Sequence, residues 1–336
     1  MPRMTETPAP AKRRWKPRLI LAGKFVLFAL VAGGIWRRVS SHLDELTAER
    51  TWSEVWQGID PLWLVISGVF YIAALAPAGW FWRHVLGRLG QQVAWRDLLR
   101  SYYIGHLGKY VPGKALVLVL RAALLPGCDK AVAVVAIFYE TFTLMATCGL
   151  VSAVILAGAW ATQLPPGGTA SGLWSLLALA LAGITLFPVL PPVFSQIYGR
   201  LGGSRLIPGM AERVHRLRFA DLAGGLAANV PGTLLLGLSL WGTLQALSRG
   251  EAPLANWPTY TAVMSLSMVA GFVSLIPGGF GVREFVLLEL LAPLVGDKLA
   301  IEATIVSRLV SVLAEALFAG GLFAVGPSKS AVKKPG

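Results

Sequence analysis

Ser274-Leu-Ile-Pro-Gly-Gly-Phe-Gly-Val-Arg-Glu284 interrupts an otherwise apolar region, with residues 260–276 running into it and 285–295 leaving it. In water this would be an ordinary turn. In a bilayer it is costly, because every backbone group that faces lipid must find a partner. Pro277 lacks an N–H, and Gly278, Gly279 and Gly281 accept backbone angles that end a helix. Arg283 and Glu284 follow at once, and charges at membrane depth are expensive and are usually kept for function. The stretch therefore predicts two half-helices meeting at a Pro-Gly break. The second half points its N-terminal N–H groups into the protein.

The rest of the chain supports a membrane setting. It has 336 residues, is 55% hydrophobic and only 14% charged, and carries a formal net charge of +13. Several apolar runs approach or exceed the roughly 20 residues needed to cross a bilayer. Such a basic chain would ordinarily raise nucleic acid as a partner, but the Lys and Arg residues fall mostly in short loops between spans, where the positive-inside rule accounts for them. Cys128 and Cys148 are the only cysteines, so neither a disulfide framework nor a Cys-x-x-Cys metal motif is present. No cofactor or metal is expected.

Working outward, the basic residues 1–18 precede an apolar run, 19–36, that ends in Arg37-Arg38 without a small-residue cleavage site. An uncleaved first span with a cytoplasmic N-terminus is predicted. Residues 37–60 are mixed in charge and are expected outside. Spans follow at 61–82, 131–160, 173–192, 222–247 and 300–325. The arginines of 83–100 and of 193–221, and the lysines of the tail 326–336, are assigned to the cytoplasm. Residues 19–325 form one transmembrane domain in the cell (inner) membrane, with both termini cytoplasmic.

A second break, Val111-Pro-Gly-Lys114, lies between short apolar arms. It leads to Asp129-Lys130 and the span bearing Glu140, just as Ile276-Pro-Gly-Gly279 leads to Asp297-Lys298 and the span bearing Arg308. The step from each lysine to the charge is ten residues in both cases. Loop charges orient the first unit inward from the cytoplasm and the second from outside. The fold class is thus an all-α polytopic membrane protein. It has about six full spans plus two re-entrant Pro-Gly-broken helical hairpins, near 101–125 and 260–296, in an inverted repeat. Many transporters use that arrangement around a midplane site.

Glu140, Thr143 and Thr147 share one helix face, as do Thr304, Arg308, Ser311 and Glu315, and both stripes should face inward. The simplest arrangement pairs Glu140 with Arg308, either as a structural ion pair or as the lining of a groove for a lipid headgroup. Arg283, Lys109, Lys114 and Arg121 cluster near the breaks with His106. Cations beside half-helix N-termini suit a phosphate. Arg283 is assigned to that role, whereas Arg121 is read as interfacial, snorkelling to lipid phosphates. His106 completes no metal or catalytic set. No Gly-x-Ser-x-Gly elbow, His-Glu-x-x-His pair or Walker loop occurs, and the chain is not expected to be an enzyme.

At Ile276-Pro-Gly-Gly-Phe-Gly-Val-Arg-Glu284 and Gly108-Lys-Tyr-Val-Pro-Gly-Lys114 the chain resembles the lysylphosphatidylglycerol synthase transmembrane-region family of flippase-like proteins. In full-length synthases that region precedes a cytoplasmic domain transferring an amino acid to phosphatidylglycerol. This sequence is expected to lack that domain. The resemblance implies lipid translocation: an anionic or phosphate-bearing lipid, a phospholipid or a polyprenyl-phosphate-linked one, moving between leaflets. Arg283, Lys109 and Lys114 would hold the phosphate, Glu140 and Arg308 would line the path, and Glu284, Gly278 and Gly279 would complete the site. Two alternatives stand beside this. One is a membrane-embedded transferase on a lipid-linked substrate with Glu140 or Glu284 as general base. The other is a non-catalytic scaffold of a lipid or glycan synthesis complex. Membrane lipids with phosphate headgroups are the expected partners, nucleic acid is not, and a homo-oligomer is left open.

Overall fold

The computed structural model describes residues 58–110, 115–162, 169–200 and 209–326. The expected N-terminal segment and first span, the 111–114 break with Lys114, and the tail beyond 326 lie outside those residues.

The described chain is helical. α1 (Pro61–Arg88) starts where the Asp60 carboxylate accepts from the Leu62 N–H at 2.9 Å and proline takes the first position. Where the sequence predicts a span ending at residue 82, the helix carries on through Arg83 to Arg88. α2 (Trp95–His106) ends in a tight turn, Leu107–Tyr110, and is followed by α3 (Ala115–Ala123). α4 (Lys130–Thr162) and α5 (Thr169–Leu186) come next, then the short α6 (Pro191–Arg200) and α7 (Met210–Val214). The last four helices are α8 (Phe219–Leu247), α9 (Trp257–Val273), α10 (Val282–Val295) and α11 (Asp297–Val325). Five of these, α1, α4, α5, α8 and α11, are long and apolar enough to cross a membrane. The protein is an all-α polytopic membrane protein.

The long helices pack through small residues, as expected where lipid removes the hydrophobic drive between helices and close backbone approach must supply the attraction. A methyl added at Gly149 of α4 would sit 2.8 Å from the Ala182 Cβ of α5. Between α1 and α8, the Ser67 hydroxyl lies 2.6 Å from the Ser239 carbonyl and 2.9 Å from the Thr243 hydroxyl. An unpaired hydroxyl in this setting would cost a lost hydrogen bond, so the trio fixes the register of the two helices.

The two interrupted segments have a different character. At about 1.5 Å per residue, α2, α3 and α10 reach about 18, 14 and 21 Å, short of a hydrocarbon core of about 30 Å. α2 and α3 run antiparallel. Gly105 lies against Arg121, and Gly108, nearer the turn, against Val117. α9 and α10 likewise pack on each other across the break. The turns themselves meet: Gly278 approaches both the Lys109 carbonyl and the Arg308 side chain.

Candidate functional site

Two charged clusters lie among these helices. The first is Arg121 with Glu140, 2.9 Å apart and 2% and 1% exposed. Arg121 leaves α3 opposite Gly105, where any side chain would collide with it, and Ser101 on the same face donates to its backbone carbonyl. Its guanidinium lies 4.5 Å from the Trp82 ring centre and 4.2 Å from that of Tyr102, stacking that lowers the cost of burying a cation. The Thr141 hydroxyl donates to Glu140 at 3.2 Å.

This overturns two expectations. Glu140 pairs with Arg121 rather than Arg308, and Arg121 is interior rather than snorkelling. The reason is connectivity. α3 is joined to α4 by a short turn, so its arginine is carried directly onto the acid 19 residues further along the chain, in the next helix. Arg308 behaves in the same way in the second unit. Its guanidinium donates to the Gly278 carbonyl at 3.0 Å and lies 3.7 Å from Glu284, both in the break that precedes its helix. Each unit thus pairs a long-helix charge with its own interrupted segment, with polarity reversed: base from the segment and acid from the helix in the first, acid and base exchanged in the second.

The second cluster lies where the breaks meet. Glu315 of α11, 1% exposed, accepts from Lys109 at 2.5 Å and from the Tyr71 hydroxyl of α1 at 2.5 Å, with His106 3.8 Å away. This bridge joins the first turn to the last helix. Tyr110 lies between two cations, with Lys109 5.0 Å and Arg308 5.8 Å from its ring centre. Arg283, 8% exposed, is near enough for its field to act on Tyr71, His106, Lys109 and Tyr110. Among the described residues, its one hydrogen-bond partner is the Met264 sulfur at 3.8 Å.

The break is built for this meeting. Gly278 and Gly279 have φ of 63° and 67°, and a Cβ on Gly279 would fall 2.8 Å from the Gly271 Cα, so the turn closes only without side chains. Leu275 also has positive φ, 59°, a strained conformation for a branched residue. Glu284 accepts from the Gly281 N–H at 2.7 Å, so a carboxylate already occupies the N-terminus of α10. An incoming anion would therefore be held by side chains.

The structure thus brings Lys109, Arg283, Arg308, Glu284, Gly278 and Gly279 together and sets Glu140 apart with Arg121. Tyr71 and the central place of Glu315 were not anticipated as site features. Among the described residues no group of three or more His, Cys, Asp and Glu side chains is arranged to hold a metal. Tyr71 sits midway along the uncharged run 61–82, so the cluster lies near the middle of that span.

A bundle of spanning helices with interrupted helices and charges at its centre defines a class of integral membrane protein with a buried polar site. The chain belongs to the lysylphosphatidylglycerol synthase TM region family, matching it over residues 24–319. A search of curated proteins finds no match.

Proposed function

We propose that the protein is a lipid translocase of the cell membrane, both termini cytoplasmic, that moves a lipid with an anionic phosphate headgroup between leaflets. The observation that carries this reading is a charge imbalance at the meeting of the breaks. Among the described residues, Lys109 is paired with Glu315 and Arg308 lies beside Glu284, while Arg283 has no carboxylate partner and meets the Met264 sulfur. Counting the Lys, Arg and Glu side chains of this meeting point, one positive charge is left over, and it belongs to Arg283. Burying an unmatched guanidinium costs several kcal/mol, which a bound monoanion such as a phosphodiester recovers.

In this reading both interrupted segments are re-entrant, which leaves a polar seam in which the headgroup is held while the acyl chains stay in lipid. Arg283 meets the phosphate, with Lys109 and Arg308 at its flanks, each kept in place by its own acid. Lys114, assigned to the phosphate by the sequence, lies outside the described residues. Glu140 shapes the bundle through Arg121.

The test is leaflet exchange in liposomes with purified protein, headgroup-labelled fluorescent phospholipids and an external reducing quencher. Protein-dependent loss of the inner-leaflet signal is expected, slowed about tenfold or more in Arg283→Gln, as loss of one charged hydrogen-bond donor predicts. Unimpaired exchange by a folded Arg283→Gln variant would refute the assignment. Polyprenyl phosphates serve as a second probe with the same variant.

A further inference from the structure

At the end of α1, well away from the paired breaks, a cavity of about 850 Å³ opens between that helix and the start of α2. Trp80, Arg83, His84, Arg88 and Gln92 are among the residues that line it. Twelve residues separate Tyr71 from Arg83, about 18 Å along the helix, which is roughly half the hydrocarbon thickness. The cavity therefore lies at a membrane surface when Tyr71 lies near the midplane. Trp80 lines it and Trp95 lies under the Arg83 guanidinium, 48% and 41% exposed, at the depth where tryptophans mark the interface.

Arginines at a helix end are commonly free to snorkel. These are tethered. Asp221, at the start of α8, accepts from Arg88 at 3.1 Å and meets His84 at 2.8 Å. A second donor of Arg88 reaches the Arg216 carbonyl at 2.8 Å. Arg83 donates through Nε to the Val93 carbonyl at 3.2 Å, and its guanidinium lies 4.7 Å from the Trp95 ring centre. Asp221 is engaged by Arg88 and His84, and the hydrogen bond of Arg83 among the described residues is the Nε donation to Val93, which leaves its terminal N–H groups for the cavity. Fixed donors with one uncompensated charge in a concave space bind an anion with little ordering cost. A volume of about 850 Å³ is far more than one phosphate needs and is in the range of sites for small organic ligands.

We infer that this cavity is a second site, taking a phosphoester with a polar substituent, oriented by Arg83 with Arg88 and Gln92 at its sides. The chemistry is that of a lipid headgroup lying beside Trp80 at the membrane surface, or of the same phosphoester free in water. The inference concerns binding alone and stands whether or not lipid crosses the membrane.

The test uses the full-length protein in nanodiscs containing a trace of phosphatidylglycerol with a photoactivatable headgroup, with crosslinked peptides mapped by mass spectrometry. Adducts in 80–94 are expected, reduced about tenfold in Arg83→Gln, partly restored in Arg83→Lys, and unchanged in Arg283→Gln. Gln92→Ala, which leaves every tether in place, should reduce them several-fold and guards against misfolding of the arginine variants. Competition by millimolar sn-glycerol 3-phosphate would assign the site to the soluble phosphoester, and resistance to it to the lipid. Equal labelling of wild type, Arg83→Gln and Gln92→Ala would overturn the site. Because Arg283→Gln slows exchange without touching these adducts, failure of either reading is visible separately.

Discussion

Glu140→Gln removes one charge from a pair whose members are 2.9 Å apart and at most 2% exposed. The substitution leaves the Arg121 guanidinium buried, held by the rings of Trp82 and Tyr102. Breaking a buried ion pair typically costs about 3–5 kcal/mol, and two desolvated cation–π contacts of about 1–2 kcal/mol each place this variant near the lower end. Arg121→Met strands the carboxylate instead, with the Thr141 hydroxyl at 3.2 Å and the Tyr102 hydroxyl at 3.5 Å as its remaining partners, and belongs near the upper end. Arg121→Met/Glu140→Leu removes both charges at similar volume and should return to within about 1 kcal/mol of wild type, since apolar replacements of buried pairs are often neutral. With the singles at about 3 and 5 kcal/mol and the double within about 1 kcal/mol of wild type, the double variant is about 7 kcal/mol more stable than the sum of the singles predicts. Reversible unfolding in mixed micelles, titrated with a denaturing detergent and followed by circular dichroism, measures all four proteins. A double variant no more stable than the worse single, or coupling below about 1 kcal/mol, would refute a self-contained pair. Lipid exchange by the double variant should stay near wild type.

Arg283→Met is expected to raise stability in the same titration by about 1 kcal/mol or more while abolishing leaflet exchange, because an uncompensated buried charge is exchanged for an apolar chain. A destabilised Arg283→Met would show that the guanidinium is satisfied within the empty protein. Gly279→Ala should cost at least about 2 kcal/mol and lower the yield of folded protein, since φ is 67° and the new methyl would lie 2.8 Å from the Gly271 Cα. Wild-type stability and yield for Gly279→Ala would show that α9 and α10 separate more readily than their packing implies.

Much of the scaffold is legible in one dimension because a bilayer restricts what a backbone can do. Runs of apolar residues became α4, α8 and α11 within a few residues of the predicted limits, and the Pro-Gly-Gly run ends one helix and begins another. Arg308 and Glu140 stand out as charges in spans, but their partners do not, since hydropathy reports depth and says nothing of which helix lies opposite. The fate of Arg121 was encoded at Ser101 and Gly105, two small residues one turn apart on α2 that leave room for it. That signal becomes readable only once α3 is known to fold back over α2. Tyr71 looked like any aromatic in an uncharged span. Its hydroxyl needed a partner if buried, and Glu315 supplies it. The basic 83–100 region read as a loop because its arginines obey the charge rule, though helix continues to Arg88 and resumes at Trp95.

The pairing of the buried charges bears on how a membrane potential would act on the centre of the protein. Arg121 with Glu140 sums to zero, as does Arg308 with Glu284, and Lys109 cancels Glu315. A transmembrane potential therefore pulls on none of these pairs as a unit. Arg283 is left as the buried charge among these residues on which the field acts, and a bound monoanion cancels it. In the translocase reading, the loaded centre is electrically silent and the empty one carries a unit charge, worth about 2.3 kcal/mol per 100 mV if it crosses the whole field. Membrane potential would then bias the return of the empty protein rather than the passage of lipid.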